Sequence, residues 1–245
     1  MDNSTRTKIK KIALPIIIVI SIIFIAMMWL LTYNEEGETN IPFIISKIII
    51  VSSAEGVENG NQEMQWSLDV NQNNDIYIYI EKNKNYGKTE LIENIKISNF
   101  DIKKQTDKGE IKIYKTTPDE DKMFQNIQEF EINEVTYNGD TKSNTKQFKI
   151  SNQGDLIVFR CANNKISQYL SNEGTEINYD ELLQKTNVNI EDLKVDIAFD
   201  LEIKILNKKT YQTRVELQLP VEEVITKGKS KLQITDLEDI VFKII

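Results

Sequence analysis

"LKVDIAFDLEIKI", residues 193–205, alternates apolar and polar side chains from end to end. Leu193, Val195, Ile197, Phe199, Leu201, Ile203 and Ile205 fall on one side, and Lys194, Asp196, Asp200, Glu202 and Lys204 on the other. A period of two marks a strand with one buried face, and no helical spacing fits it. After the turn residues "LNKKT", the run "YQTRVELQLPV" (211–221) repeats the scheme with Tyr211, Val215, Leu217, Leu219 and Val221 on the apolar side. Two such runs joined by a short polar turn predict a β-hairpin lying on a core.

Working outward, further strands are expected at "EMQWSLDV" (63–70), "DIYIYIEK" (75–82), "ENIKISNFDIKK" (93–104), "GEIKIYK" (109–115), "QEFEINEVTY" (128–137), "KQFKIS" (146–151), "DLIVFRCA" (155–162) and "DIVFKII" (239–245). Between them lie the turn signals "NQNN" (71–74), "TDKG" (106–109), "YNGD" (137–140), "SNQG" (151–154) and "NKK" (207–209). Asn138-Gly139 suits a type I′ turn. Two short connector helices are expected. "TPDEDKMFQN" (117–126) offers Thr117 as cap and Pro118 at the first helical position, and "NYDELLQKT" (178–186) offers Asn178 as cap with Glu181 three residues on. Many short strands at regular spacing predict an all-β fold, an antiparallel β-sandwich of Greek-key or Ig-like type.

One segment breaks the pattern. Residues 12–31 contain no charge, and Ser21 is their one polar side chain. Twenty helical residues rise about 30 Å, the thickness of a bilayer's hydrocarbon core. Arg6, Lys8, Lys10 and Lys11 precede the run, and Glu35, Glu36 and Glu38 follow it. By the positive-inside rule this makes residues 1–11 a basic cytoplasmic tail, 12–32 a transmembrane anchor helix, 33–40 an acidic linker and 41–245 an extracytoplasmic β-sandwich domain. A cleavable signal has a shorter apolar core and a small-residue cleavage site, neither of which is seen here. The next apolar run, "IPFIISKIIIVSS" (41–53), is too short to span, carries Lys47 and reads as a buried strand. A division near 116–127 would split the exported part into two β domains, and one domain is the favoured reading.

Composition limits the chemistry. Residues 1–11 hold four basic groups and one acidic group, so of 30 basic and 38 acidic side chains the remainder holds 26 and 37. An acidic exterior argues against a nucleic-acid partner. With Cys161 as its one cysteine the chain forms no internal disulfide, which suits a bacterial envelope better than a eukaryotic secreted domain. Histidine is absent, which removes the commonest general base and metal ligand, together with Ser-His-Asp and Cys-His catalysis. No phosphate-binding glycine loop or nucleophile elbow occurs. No cofactor is implied.

Carboxylate-pair chemistry needs no histidine. Asp196, Asp200 and Glu202 share a strand face near Arg214, which leaves a glycan hydrolase as the alternative function. A solvated face with cross-strand pairing accounts for the same residues. "DVNQNNDI" places Asp69, Asn71, Asn73 and Asp75 at alternate positions, like the start of a calcium loop. It lacks the glycine and the closing glutamate of such a loop, and its flanks read as strands where a calcium loop needs helices, so an Asn-rich hairpin turn is the favoured reading. Tyr77 and Tyr79 alternate with Ile76, Ile78 and Ile80, so a core-facing isoleucine row would leave a tyrosine stripe as a partner surface. Cys161 falls in phase with Ile157 and Phe159 and reads as an interior hydrophobe. The expected function is that of a non-catalytic, single-pass envelope protein whose β domain binds a protein partner or wall polymer.

Overall fold

The computed structural model describes residues 3–62, 65–172, 177–237 and 239–245. A long helix, α1 (Asn3–Glu36), leads into β1 (Phe43–Gln62), β2 (Gln65–Lys82), β3 (Ile92–Lys104), β4 (Glu110–Tyr114), β5 (Val135–Asp140), β6 (Lys149–Ser151) and β7 (Leu156–Asn172). Short helices α2 (Leu182–Lys185) and α3 (Ile190–Leu193) precede β8 (Val195–Ile205) and β9 (Thr210–Gln218), and α4 (Glu222–Lys227), β10 (Lys229–Ile234) and β11 (Lys243–Ile244) complete the chain. The strands form two sheets, ordered β10-β1-β2-β7-β4 and β11-β9-β8-β3-β5-β6. Every pairing is antiparallel except β5 with β6.

The chain is mostly β, and one core joins the sheets. Ile48, Ile50, Ile76, Ile78 and Phe159 of the first sheet are buried with Ile95, Ile97, Ile197, Phe199 and Leu201 of the second. Phe159 meets Phe199 edge-on at 5.2 Å between ring centroids, and Phe100 packs against Phe159 at 5.5 Å. Hydrophobic burial of this kind is the main favourable term holding such a fold. The hairpin forms as expected: β8 pairs with β9 from Asp196↔Gln218 to Lys204↔Thr210, and all its apolar positions are buried. Leu193 is buried as well, but on α3 and in a second cluster, because the chain leaves the helix for the strand at Lys194. In β1 the phase shifts at a bulge between Ile45 and Lys47, so Phe43, Ile45, Ile48 and Ile50 all face inward.

β1, β2 and β7 run well beyond the main core. There Val70 and Ile166 are covered by Leu182 and Leu183 of α2, Leu193 of α3 and Val224 of α4. Strands from both sides of residues 116–127 pair with one another: β2 and β4 with β7, and β3 with β5 and β8.

Several sequence expectations are corrected. "NQNN" is not a turn: β2 passes straight through it, and Asn71, Gln72, Asn73 and Asn74 are all buried. Asn74 accepts from Ser52 Oγ at 2.6 Å and donates to the Cys161 carbonyl at 3.1 Å, so the amide is satisfied inside the sheet. Glu63 and Met64, part of the expected strand 63–70, lie outside the described residues. Asn138-Gly139 is likewise within a strand, paired in parallel with β6. Gly139 is needed for close approach, since a Cβ there would collide with the Ile92 carbonyl. Residues 117–126 form no helix; Thr117 Oγ1 donates to the Lys122 carbonyl at 2.8 Å and closes a loop instead. The helix at 178–186 is present as a single turn before α2, with Asn178 Oδ1 accepting from the Asp180 N–H.

α1 contains one stretch, Pro15–Tyr33, long and apolar enough to cross a membrane. The helix starts upstream at Asn3, so Pro15 sits within it. The expected acidic tether is also shorter than the sequence suggests. α1 continues to Glu36, Gly37 turns the chain with φ +65°, and the Glu38 N–H donates to the Phe242 carbonyl at 2.7 Å.

Candidate functional site

The outer face of the first sheet carries Glu55 on β1, Asn73, Asp75 and Tyr77 on β2, and Arg160 on β7. Strand alternation forces this: Ile76, Ile78 and Cys161 take the inner face, so their neighbours turn outward. The connection from β4 to β5 crosses over these residues and lays Met123, Phe124 and Asn126 on them.

Arg160 organises the site. Its Nε donates to Asp75 Oδ1 at 2.6 Å and one terminal nitrogen to Oδ2 at 3.1 Å, a two-pronged pair. The other terminal nitrogen donates to Asn126 Oδ1 at 3.2 Å, and the guanidinium lies 4.5 Å from the Phe124 ring centre. Asn126 Nδ2 donates to Asn73 Oδ1 at 2.7 Å, and Asn73 Nδ2 to Glu55 Oε2 at 2.6 Å. Burial raises the Asp75 pKa above the usual carboxylate value, a shift that hydrogen bonding and charge from Arg160 oppose. Burial also raises the Tyr77 pKa, and the Asp75 charge adds to it.

A cleft of about 790 Å³ opens beside this network, with Glu55, Val57, Lys122, Gln125 and Ile127 on its wall. The amides and the ion pair are spent on one another, so they lock the crossing loop onto the sheet. What remains for a ligand is the rim: Val57, 44 % exposed, Ile127, 47 % exposed, and the exposed charges Glu55 and Lys122. This rim offers apolar contact flanked by charges of opposite sign.

The structure divides the residues singled out in the sequence. Asn73, Asp75 and Tyr77 meet at this cleft; Tyr77 is half-buried with its hydroxyl 3.8 Å from Met123 Sδ. Tyr79 lies apart, half-buried, with Lys47 Nζ 4.1 Å from its ring centre. Asp69, Asn71, Asn73 and Asp75 do not gather as a calcium loop would. They are spaced along one strand, each with its own partner: Asn59 for Asp69, the Lys165 N–H for Asn71, Asn126 for Asn73 and Arg160 for Asp75. Among the described residues no group of three or more Asp, Glu or Cys is placed to hold a metal ion.

On the second sheet, Asp200 is tied to Arg214 at 3.0 Å and to Asn99 Nδ2 at 2.8 Å. Asp196 lies opposite Gln218 and Glu202 opposite Gln212 on β9. Arg160, Asn126, Phe124 and Glu55 were not singled out, because their association depends on a loop crossing that no local pattern reveals. Comparison with protein-family models, curated proteins and solved structures finds no match to this chain.

Proposed function

We propose that this is a single-pass membrane protein with its basic N-terminus in the cytoplasm and its β domain, read as a β-sandwich of Greek-key or Ig-like type, outside the membrane in the cell envelope. The domain is non-catalytic and holds a protein partner in the cleft beside Arg160. The observation that carries this is the cleft's rim, an exposed apolar pair (Val57 and Ile127) flanked by opposite charges on Glu55 and Lys122. That chemistry suits a mixed polypeptide segment better than a wall glycan. Sugar stacking needs an open aromatic face, and Arg160 occupies the face of Phe124.

A photo-crosslinking residue at Ile127 in intact cells tests the reading. A discrete protein adduct, lost on Val57→Asp, is expected. Adducts with wall polymer alone would move the function to glycan binding, and no adduct at all would remove the cleft as the binding site.

A further inference from the structure

The foot of the β domain meets the apolar helix without a spacer. Tyr33, the last residue of the apolar stretch, accepts from the Ile244 N–H, and Ile244 lies opposite Tyr211 where β11 pairs with β9. From Tyr33 to the end of α1 at Glu36 the helix rises by about 4.5 Å. Each polar layer of a bilayer is about 5–7 Å thick, the difference between its total and hydrocarbon thicknesses shared over two sides. With α1 across a membrane, the reading on which this inference rests, the residues that follow it stand at the height of the lipid head groups.

A cleft of about 570 Å³ opens at this level, within the size range of small-molecule sites. Glu38 forms its wall just after α1. The β8–β9 turn supplies Lys208 and Lys209, β9 supplies Tyr211, and the loop after β2 supplies Tyr86 and Glu90. That loop is tied to the same junction: the Asn83 N–H donates to the Pro42 carbonyl and Asn83 Nδ2 to the Ile41 carbonyl, each at 2.9 Å. Glu90, 7 % exposed, is occupied, because Lys208 Nζ and the Tyr86 hydroxyl both donate to its Oε1. Glu38 and Lys209 are not. Both line the cleft, yet neither forms an ion pair with the other or with any other described residue, and the Glu38 carboxylate accepts only the Asn40 N–H, at 3.3 Å.

We propose that this cleft holds the head group of a phospholipid whose phosphate is followed by an ammonium group, drawn from the adjoining leaflet. Lys209 takes the phosphate and Glu38 the ammonium, with Tyr86 and Tyr211 walling the space between them. Two opposite charges that face one cavity without touching suit a dipolar group. A head group with a phosphate and no cation satisfies Lys209 but sets an anion before Glu38, which repels it. Position selects a lipid over the same groups on a free solute. The leaflet already lies beside the cleft, so its head groups reach the site at a high effective concentration.

The test uses the full chain in detergent, with phosphatidylethanolamine and phosphatidylglycerol added in equal amounts and the retained lipid read by native mass spectrometry. One phosphatidylethanolamine is expected to stay bound, in several-fold excess over phosphatidylglycerol. Glu38→Gln should bring the two lipids level, and Lys209→Gln should lower both, with the melting temperature unchanged in each variant. Equal retention of the two lipids by the unaltered chain, or retention indifferent to both substitutions, would overturn the proposal. Free phosphoethanolamine is expected to compete only at far higher concentration, and competition as strong as the lipid's own would rule out the lipid as occupant. Carbonate extraction of the chain from vesicles reads the anchor separately. The chain should stay with the lipid, and its release would remove the anchor and the head-group site together.

Discussion

Arg160 and Cys161 are neighbours in the chain and face opposite sides of β7, one into the polar cleft and one into the core. The strand phase of "DLIVFRCA" made that division readable in advance. It did not reveal that Arg160 would find Asp75, 85 residues away, because that pairing depends on β2 lying beside β7. Removing the guanidinium leaves the Asp75 carboxylate largely buried without its counter-charge, so Arg160→Leu is expected to cost about 3–5 kcal/mol near neutral pH. The pH dependence has a defined sign. Since the Asp75 pKa is raised in the fold above 3.8, the native state holds its proton more tightly than the unfolded chain. That contribution therefore falls as pH rises through the window just above 3.8, and the window widens when Arg160 is gone. Denaturant melts should show the Arg160→Leu deficit shrinking toward pH 4, and Asp75→Asn in the same background should recover part of it at neutral pH. A deficit independent of pH would mean that packing against Phe124, not charge, is what Arg160 supplies.

At the scale of elements, the β8–β9 hairpin was legible because each strand buries one face against a uniformly apolar core. β2 was not, because its middle crosses from one apolar cluster to the other. Between them lies a buried polar belt of Ser52, Gln72, Asn74 and Asn163. Asparagine and glutamine runs ordinarily signal turns, since their amides compete for nearby backbone. Here the amides reach across strands instead, which is a tertiary arrangement and leaves no local trace. The belt members are not equivalent. Asn74 serves Ser52 and the Cys161 carbonyl, whereas Gln72 makes one long contact of 3.5 Å and its Oε1 has no partner. Asn74→Ala takes a partner from three buried groups, Ser52 Oγ, Gln72 Nε2 and the Cys161 carbonyl, and is expected to cost about 1–3 kcal/mol. Gln72→Leu removes an unsatisfied acceptor and should cost less. Equilibrium unfolding of the two variants checks the order, and a larger loss for Gln72→Leu would show that the belt is held together differently.

For the molecule as a whole, the apolar helix stood out in the sequence, while its attachment to the β domain did not. The attachment joins residues some two hundred positions apart: the Ile244 N–H donates to the Tyr33 hydroxyl at 3.2 Å, and the Glu38 N–H to the Phe242 carbonyl. Gly37 makes this fit, as its φ of +65° suits a helix terminus and a Cβ there would strike both the Val241 side chain and the Phe242 carbonyl. A segment hydrogen-bonded in this way resists proteases, because cleavage requires local opening. Glutamyl endopeptidase acting on the full chain in detergent is therefore expected to cut slowly after Glu38. Gly37→Ala should raise that rate by at least about tenfold, which corresponds to about 1.4 kcal/mol of lost local stability. The main core should be untouched, with its melting temperature shifting by no more than a few degrees, because Gly37 lies at its margin. Equally fast cutting of both proteins would make residues 33–40 a free tether after all, leaving the β domain to swing on its anchor.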